Sequence, residues 1–394
     1  MSEWKTIGEI AEIYDGPHAT PKKIENGYYF LSISSLSNGN LDLSKSAKIC
    51  EEDYKKWTKR IVPIEGDLLF SYETRLGEAA LMPANLQACL GRRMGLLRPN
   101  LNFVRSDFLL FAWLSPEFQK VIKKNTITGA TVERIALSEL SDFPILLPSL
   151  FEQEKIVKIL TKLDQKIALN NQINEELEAM AKTLYDYWFV QFDFPDENGK
   201  PYKSSGGKMV YNDQLKREIP EGWGVKCLGE LDIATGKRDA NFGTENGQYD
   251  FWTTANEPMK ADEYSFEGKA ILIAGNGNFY INFTEGKFEA YQRTYVIQSA
   301  DENELLFMYP ACLQSIEKLR KGSNGSIIKY ITIGDVQNIS QAHCPVIANL
   351  FVDIFRPIMN TIQKNKQQNQ ELTQLRDWLL PMLMNGQVMV EDKT

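Results

Sequence analysis

Few residues in this chain have types and spacings that could make or break a bond. Histidine, the commonest general base and metal ligand, occurs twice, as His18 and His343, and neither has a partner at catalytic or metal spacing. His343-Cys344-Pro345 sets two ligand-type side chains in succession, but adjacent side chains diverge and no second pair exists, so no metal site is expected. No G-x-x-x-x-G-K-[ST] phosphate loop is present. Gly275-Asn276-Gly277-Asn278-Phe279 is rich in glycine, yet no helix start or distal acid follows it, and it reads as a polar surface loop. A nuclease reading could begin at Pro195-Asp196-Glu197-Asn198-Gly199-Lys200, where the Glu-to-Lys spacing is wrong. The Asn-Pro-Pro-Tyr-type pocket of amino-methyltransferases is also missing. The chain reads as a non-enzyme.

What remains are loops combining basic, amide and hydroxyl groups, which bond phosphates and base edges, Arg to guanine and Asn or Gln to adenine. In the first half the candidates are Lys22, Lys23, Arg75, Arg92, Arg93, Thr128, Thr131 and Arg134. In the second half they are Lys237, Arg238, Asn241, Thr253, Asn276, Asn278, Gln292, Arg293, Asn324 and Lys329. A solvated turn is the alternative for each. Arg92-Arg93 and Gln292-Arg293 stand out because they occupy corresponding points of an internal repeat.

That repeat supplies the elements that must position these loops. Trp4–Glu9 (W-K-T-I-G-E) is echoed at Trp223–Glu230 (W-G-V-K-C-L-G-E), and Gly66–Ser71 (G-D-L-L-F-S) at Gly268–Ala274 (G-K-A-I-L-I-A), a turn glycine feeding a strand of β-formers. Gly129–Leu140 aligns with Gly325–Val336, Ile135 falling opposite Ile331. Each copy ends in a long helical stripe. Ile156, Leu160, Leu163, Ile167, Asn170, Asn174, Leu177, Ala181, Leu184 and Trp188 alternate spacings of four and three. The second stripe reads Phe351, Ile354, Ile358, Thr361, Asn365, Gln368, Leu372, Leu375, Leu379 and Met382, with Asn365 lying 195 residues beyond Asn170.

One such stripe is an ordinary core helix, but two, each roughly 60 Å long as helix, are too long for a small domain and are expected to pack on each other. Buried asparagines in the seam would fix register at a cost in stability. Ser149 and Glu152 form a capping box that starts the first helix, whereas Pro357 should kink the second or delay its start. Because the first helix delivers the chain to the second half and the second must travel back, the pair is expected to be antiparallel, with a domain near each end and pseudo-twofold symmetry.

The expected organisation is a first domain over 1–148, a long helix over 149–190, an extended Pro/Gly-rich connector over 191–222, a second domain over 223–345, a second long helix over 346–386 and a tail over 387–394. Short β-rich runs mixed with helices make each domain α/β or α+β.

Composition narrows the class. With 394 residues, 43% of them hydrophobic, wholesale disorder is excluded. No run approaches the roughly 18–20 apolar residues of a membrane-spanning helix, and Met-Ser-Glu-Trp-Lys-Thr offers no secretory signal. Five scattered cysteines without C-x-x-C read as reduced thiols of a cytoplasmic protein. Net charge is −8 and no segment is a basic block: residues 1–150 carry 18 basic and 18 acidic side chains. Nucleic-acid affinity therefore has to come from local patches and from a partner.

The chain resembles the specificity subunit of type I restriction–modification systems over essentially its whole length. The resemblance rests on the Trp…Gly-Glu domain openings, the G-D-L-L-F-S strand, and Leu147-Pro148-Ser149-Leu150-Phe151-Glu152-Gln153-Glu154-Lys155-Ile156 entering the first long helix. Ile219-Pro220-Glu221-Gly222-Trp223 and the closing Leu379-Leu380-Pro381-Met382-Leu383-Met384-Asn385-Gly386 complete it. Cys344-Pro345-Val346-Ile347-Ala348-Asn349 departs from the usual Leu-Pro-…-Glu-Gln entry to the second helix.

The resemblance implies two target-recognition domains reading the halves of a split, asymmetric double-stranded DNA site. The helical pair would be a spacer and a docking surface for two methyltransferase subunits and, through them, the restriction subunit. S-adenosylmethionine, magnesium and ATP would belong to those partners. Tyr185, Trp188, Phe189 and Trp378 are candidates for the partner interface, with packing between the helices the alternative for Trp188. The isolated chain is then expected to bind DNA poorly and the complex well. A stand-alone nuclease and an autonomous two-site DNA-binding regulator are the alternative functions.

Overall fold

The computed structural model describes residues 2–17, 19–37, 39–127, 133–245, 247–323, 329–384 and 387–388. The chain divides into two compact units, Met1–Asn170 with Lys366–Thr394, and Asn171–Asn365.

In the first unit, six strands carry the frame: β1 (Ala11–Asp15), β2 (Tyr28–Phe30), β3 (Leu68–Ser71), β4 (Ala79–Leu81), β5 (Ala88–Cys89) and β6 (Met94–Pro99). One sheet has the order β1-β6-β3-β4, all antiparallel. In a second, β2 runs parallel to β5 and antiparallel to Ala47–Ile49. Strand β3 is buried along its whole length, as its run of β-formers requires. Helices α1 (Ser106–Leu114) and α2 (Pro116–Lys124) follow; Ser115 caps α2, accepting from Phe118 N at 3.2 Å, and Pro116 opens it. Strand Glu3–Thr6 pairs with Pro144–Leu147, joining the start of this unit to the segment that precedes α3 (Leu150–Tyr185).

The second unit repeats this plan strand for strand. Its strands are β7 (Asp232–Thr235), β8 (Tyr249–Trp252), β9 (Ala270–Ala274), β10 (Ile281–Thr284), β11 (Lys287–Ala290) and β12 (Thr294–Gln298). The order β7-β12-β9-β10 matches the first sheet, and β8 runs parallel to β11 as β2 does to β5. Gly224–Cys227 pairs with Ser340–His343, the counterpart of the Glu3–Thr6 pairing. Gly66 and Gly268, which open β3 and β9, both have positive φ, +84° and +105°. One helix, α4 (Glu302–Gly322), takes the place of α1 and α2. The last helix, α5 (Pro345–Met384), follows.

Both long helices contribute to both units. Ser149 Oγ accepts from Glu152 N at 3.3 Å while Glu152 Oε2 accepts from Ser149 N at 3.0 Å, the reciprocal cap expected at the start of α3. In the first unit Asp164 pairs with Arg376 at 3.0 Å, and Asn170 Nδ2 donates to Gln368 Oε1 and Asn369 Oδ1, both at 2.8 Å. In the second, Asn365 Nδ2 donates to Asn174 Oδ1 at 2.9 Å, and Trp188 packs on Phe351 at 6.1 Å between rings. Rising numbers on α3 meet falling numbers on α5 within each unit, so the pairing is antiparallel.

Three details differ from the sequence reading. The second seam is rotated by one residue. The buried positions on α5 are Ala348, Phe351, Val352, Phe355, Met359, Ile362, Leu380, Leu383 and Met384, while Ile354 and Leu375 are exposed. Carried forward by 195 residues, the buried Ile156, Val157, Leu160, Tyr185 and Trp188 fall on the buried Phe351, Val352, Phe355, Leu380 and Leu383, so packing kept a symmetry that counting apolar residues missed. Helix α5 also runs unbroken through Pro357 and starts at Pro345, where a missing N–H costs nothing. The apolar face from Phe351 to Ile362 supplies the burial that offsets the internal proline. Finally, the Pro/Gly-rich connector is packed. Met209–Asn212 and Arg217–Pro220 form a hairpin, and the Phe194 ring stacks on Tyr202 and lies 4.8 Å from Trp223.

Candidate nucleic-acid interface

In each unit three segments converge at the same end of the strand frame, through the same backbone hydrogen bonds. In the first, Tyr72 N donates to Arg93 O at 3.2 Å, Ile135 N to Tyr72 O at 2.8 Å and Thr74 N to Glu133 O at 3.4 Å. In the second, Gly275 N donates to Arg293 O at 2.7 Å, Ile331 N to Gly275 O at 3.0 Å and Gly277 N to Lys329 O at 3.0 Å. Glu73 bridges Arg134 as Asn276 bridges Tyr330. Thr74 and Gly277 share a left-handed φ, +74° and +76°. The frame thus brings together Arg93 and Arg134 in one unit, and Asn276, Arg293 and Lys329 in the other.

The side chains at these points differ. Arg93 Nε lies 3.1 Å from Glu73 Oε2, and its Nη1 donates to Thr74 Oγ1 at 3.2 Å. Arg293 is exposed and makes no ion pair among the described residues. Arg92, Arg134, Gln292 and Lys329 are also exposed. The Tyr72 hydroxyl is buried without a hydrogen-bond partner among the described residues, and burial pushes its pKa up; Gly275 holds the equivalent place, where a Cβ would come within 2.5 Å of Arg293 O.

The remaining candidates lie outside this convergence. Arg75 donates to Ser34 O and pairs with Glu78 at 3.2 Å. Lys22, Lys23 and Lys237 are exposed and make no ion pair among the described residues. Arg238 stacks on the Phe242 ring at 4.3 Å and pairs with Glu263 at 2.7 Å and with the fully buried Glu289 at 3.2 Å. It is committed to the fold. Asn241 is exposed beside its cap, its N–H bonded to Asp239 at 3.0 Å. The Thr253 carbonyl accepts from Thr294 Oγ1 at 3.1 Å, and Asn278 Nδ2 donates to Tyr280 at 3.2 Å. Thr128, Thr131, Asn324 and His18 lie outside the described residues.

Of the four aromatics read as partner-facing, three are corrected by burial. Tyr185, Trp188 and Phe189 are 4%, 5% and 0% exposed, and Tyr185 Oη donates to Gln341 Oε1 at 2.6 Å. They form the core of the second unit with Phe351 and Phe307, so they offer no surface to a partner. Trp378 is 57% exposed. The second unit also carries an open apolar groove lined by Ala179, Met180, Thr183, Leu184, Tyr187, Ile354 and Ile358.

Sequence reading missed Lys48, whose Nζ sits 5.3 Å from the Tyr29 ring, and Glu73 itself. Glu73 is the second residue past the repeated G-D-L-L-F-S strand, as Asn276 is past its echo, so the repeat held the signal. Among the described residues no group of three or more His, Cys, Asp or Glu could hold a metal, and no helix is long and apolar enough to cross a membrane.

The model of the type I restriction modification DNA specificity domain matches residues 1–179 and 220–374. The chain belongs to that family. It is 27% identical to the type I restriction enzyme MjaIX specificity subunit of Methanocaldococcus jannaschii, over 98% of this chain and 93% of that one. It is 36% identical to the EcoDI specificity subunit of Escherichia coli, over 44% of this chain and 40% of that one. The crystal structure of the S subunit from M. genitalium aligns over 100% of this chain and 97% of that one, with a TM-score of 0.56 and 16% identity, which shows a shared fold. Specificity subunits recognise DNA sequence within the restriction–modification complex, carry no catalysis themselves, and assemble with methyltransferase and restriction subunits.

Proposed function

We propose that this chain reads a split, asymmetric double-stranded DNA site, one part with each unit, and docks two methyltransferase subunits on its long helices. One observation carries the reading. The two units present one backbone frame with different side chains at its tip, Glu73, Arg93 and Arg134 against Asn276, Arg293 and Tyr330. Equal frames with unequal bonding groups suit two readers of unlike sequences. The helices that run through both units would set the spacing of the two parts. The apolar groove around Met180, Tyr187 and Ile354, and the exposed Trp378, are the surfaces we assign to the methyltransferases. S-adenosylmethionine, magnesium and ATP would be held by the partner subunits, and the complex would work in the cytoplasm.

Adenine methylation mapped across the source genome, with and without this gene, tests the proposal. A split motif that loses its methylation on deletion is the expected result. An unsplit motif, or a methylation pattern that deletion leaves unchanged, would overturn it. Cleavage or methylation of plasmid by the purified chain alone would favour the stand-alone enzyme instead.

A further inference from the structure

The two reading ends differ in one respect that the DNA-reading proposal does not use. At the first, the convergent segments bring Glu73 and Glu133 together with Arg93 and Arg134; at the second they bring Asn276, Lys329, Arg293 and Tyr330, with no carboxylate among these four. Among these four residues of the first tip the charges cancel, whereas the four of the second carry two cations and no anion. The Arg93–Glu73 contact is also imperfect. Its Nε–H approaches the carboxylate at 3.1 Å yet completes no aligned hydrogen bond among the described residues, and it is held by two non-glycine residues with left-handed φ, Thr74 at +74° and Arg93 at +70°. A β-branched residue rarely adopts that conformation, and such outliers concentrate where a segment has a task beyond stability.

Resting on the DNA-reading proposal, we propose that Glu73 is an internal counter-ion that DNA must displace, and that it makes the first unit selective where the second is permissive. A phosphate sets a second anion beside Glu73, and that repulsion offsets what the phosphate gains from Arg93. A guanine edge offers two acceptors in one plane, matched to the guanidinium fork, and wins the arginine from a misaligned carboxylate. Arg293 has no such competitor among the described residues and engages any duplex, which gives the second unit the charge-driven share of affinity. Glu73 is thus a specificity-determining residue that need not touch DNA.

The test uses the chain in complex with its methyltransferase subunits. The duplexes carry the mapped site, or the site with one part or the other scrambled, and the part read by the first unit is the one whose discrimination Arg93→Ala weakens. Glu73→Gln should strengthen binding to the duplex scrambled in that part more than to the intact site. The ratio of the two affinities should fall by about tenfold, the weight of one specific contact, and the salt dependence on scrambled DNA should steepen by roughly one phosphate contact. Asn276→Glu should do the reverse in the second unit, weakening duplexes scrambled in the other part more than the intact site. An unchanged ratio in Glu73→Gln, or equal weakening of all duplexes in Asn276→Glu, would overturn the proposal. If Arg93→Ala and Arg293→Ala both leave binding unaltered in complexes that melt normally, the assignment of the reading ends themselves fails, and this inference with it.

Discussion

Arg238 and Arg293 lie in the same unit, and both fit the sequence pattern of a DNA-contacting arginine; the structure predicts opposite consequences for removing them. Arg238→Ala leaves Glu289, 0% exposed, without its cation at 3.2 Å. Breaking a buried pair from one side costs about 3–5 kcal/mol. Glu289 keeps hydrogen bonds from Ser265 Oγ at 2.7 Å and from the Ala290 N–H at 2.9 Å, and Arg238 is itself 35% exposed. The cost therefore falls near the lower end, about 3 kcal/mol. In a unit of this size that lowers the melting temperature by roughly 6–12 °C. Calorimetry of parent and variant at pH 7.5 reads the loss. A variant that melts with the parent would refute the assignment of Arg238 to the fold. Arg293→Ala should keep stability within about 0.5 kcal/mol and cost the assembled complex about 1–3 kcal/mol of DNA affinity in a gel shift at fixed salt.

Burial and the nearby Lys226 hold the His343 imidazole below its ordinary pKa. The unfolded chain then takes up the proton first, and stability falls as pH drops through about 6.5; His343→Asn should flatten the melting-temperature profile between pH 7.5 and 5.5, and parallel profiles would count against it. Gln153 is fully buried, donating to Phe103 O and Pro148 O and accepting from Arg105 N, each at 2.9 Å. Gln153→Leu orphans all three and should cost about 2–4 kcal/mol in a urea titration. Inserting seven residues into each long helix lengthens it by about 10 Å, so the mapped methylation motif should gain roughly three base pairs between its parts; an unchanged gap would remove the spacer role.

The repeat was legible in the sequence because each weak echo sits on a backbone constraint: Gly66 and Gly268 turn the chain at positive φ, and Ile135 and Ile331 are both buried where the third segment joins the frame. The first helical stripe was legible for the same reason, since its apolar positions are those that pack. The second was misread because Ile354, Ile358 and Leu375 satisfy a heptad count equally well. Ile354 and Ile358 line the open apolar groove, and Leu375 lies 42% exposed. Periodicity detects apolar residues, and it does not distinguish a face covered within the chain from one left open for a partner.

The same blindness governs the arginines. Whether an arginine serves the fold or a ligand depends on which carboxylate the strand register brings to it, and that carboxylate is remote in sequence. Glu289 reaches Arg238 because Arg238 bridges Tyr291, two residues beyond Glu289 at the end of β11. Glu73 reaches Arg93 because β3 pairs with β6, with Ser71 opposite Met94. In the second unit Thr294 lies opposite Ala274, but the residue two places beyond Ala274 is Asn276, and Arg293 makes no ion pair among the described residues. One carboxylate-for-amide difference at a matched place in two copies of one frame separates an arginine held by a carboxylate from one without an ion pair among the described residues, and in the function we propose that difference lets a duplicated fold treat two stretches of DNA differently.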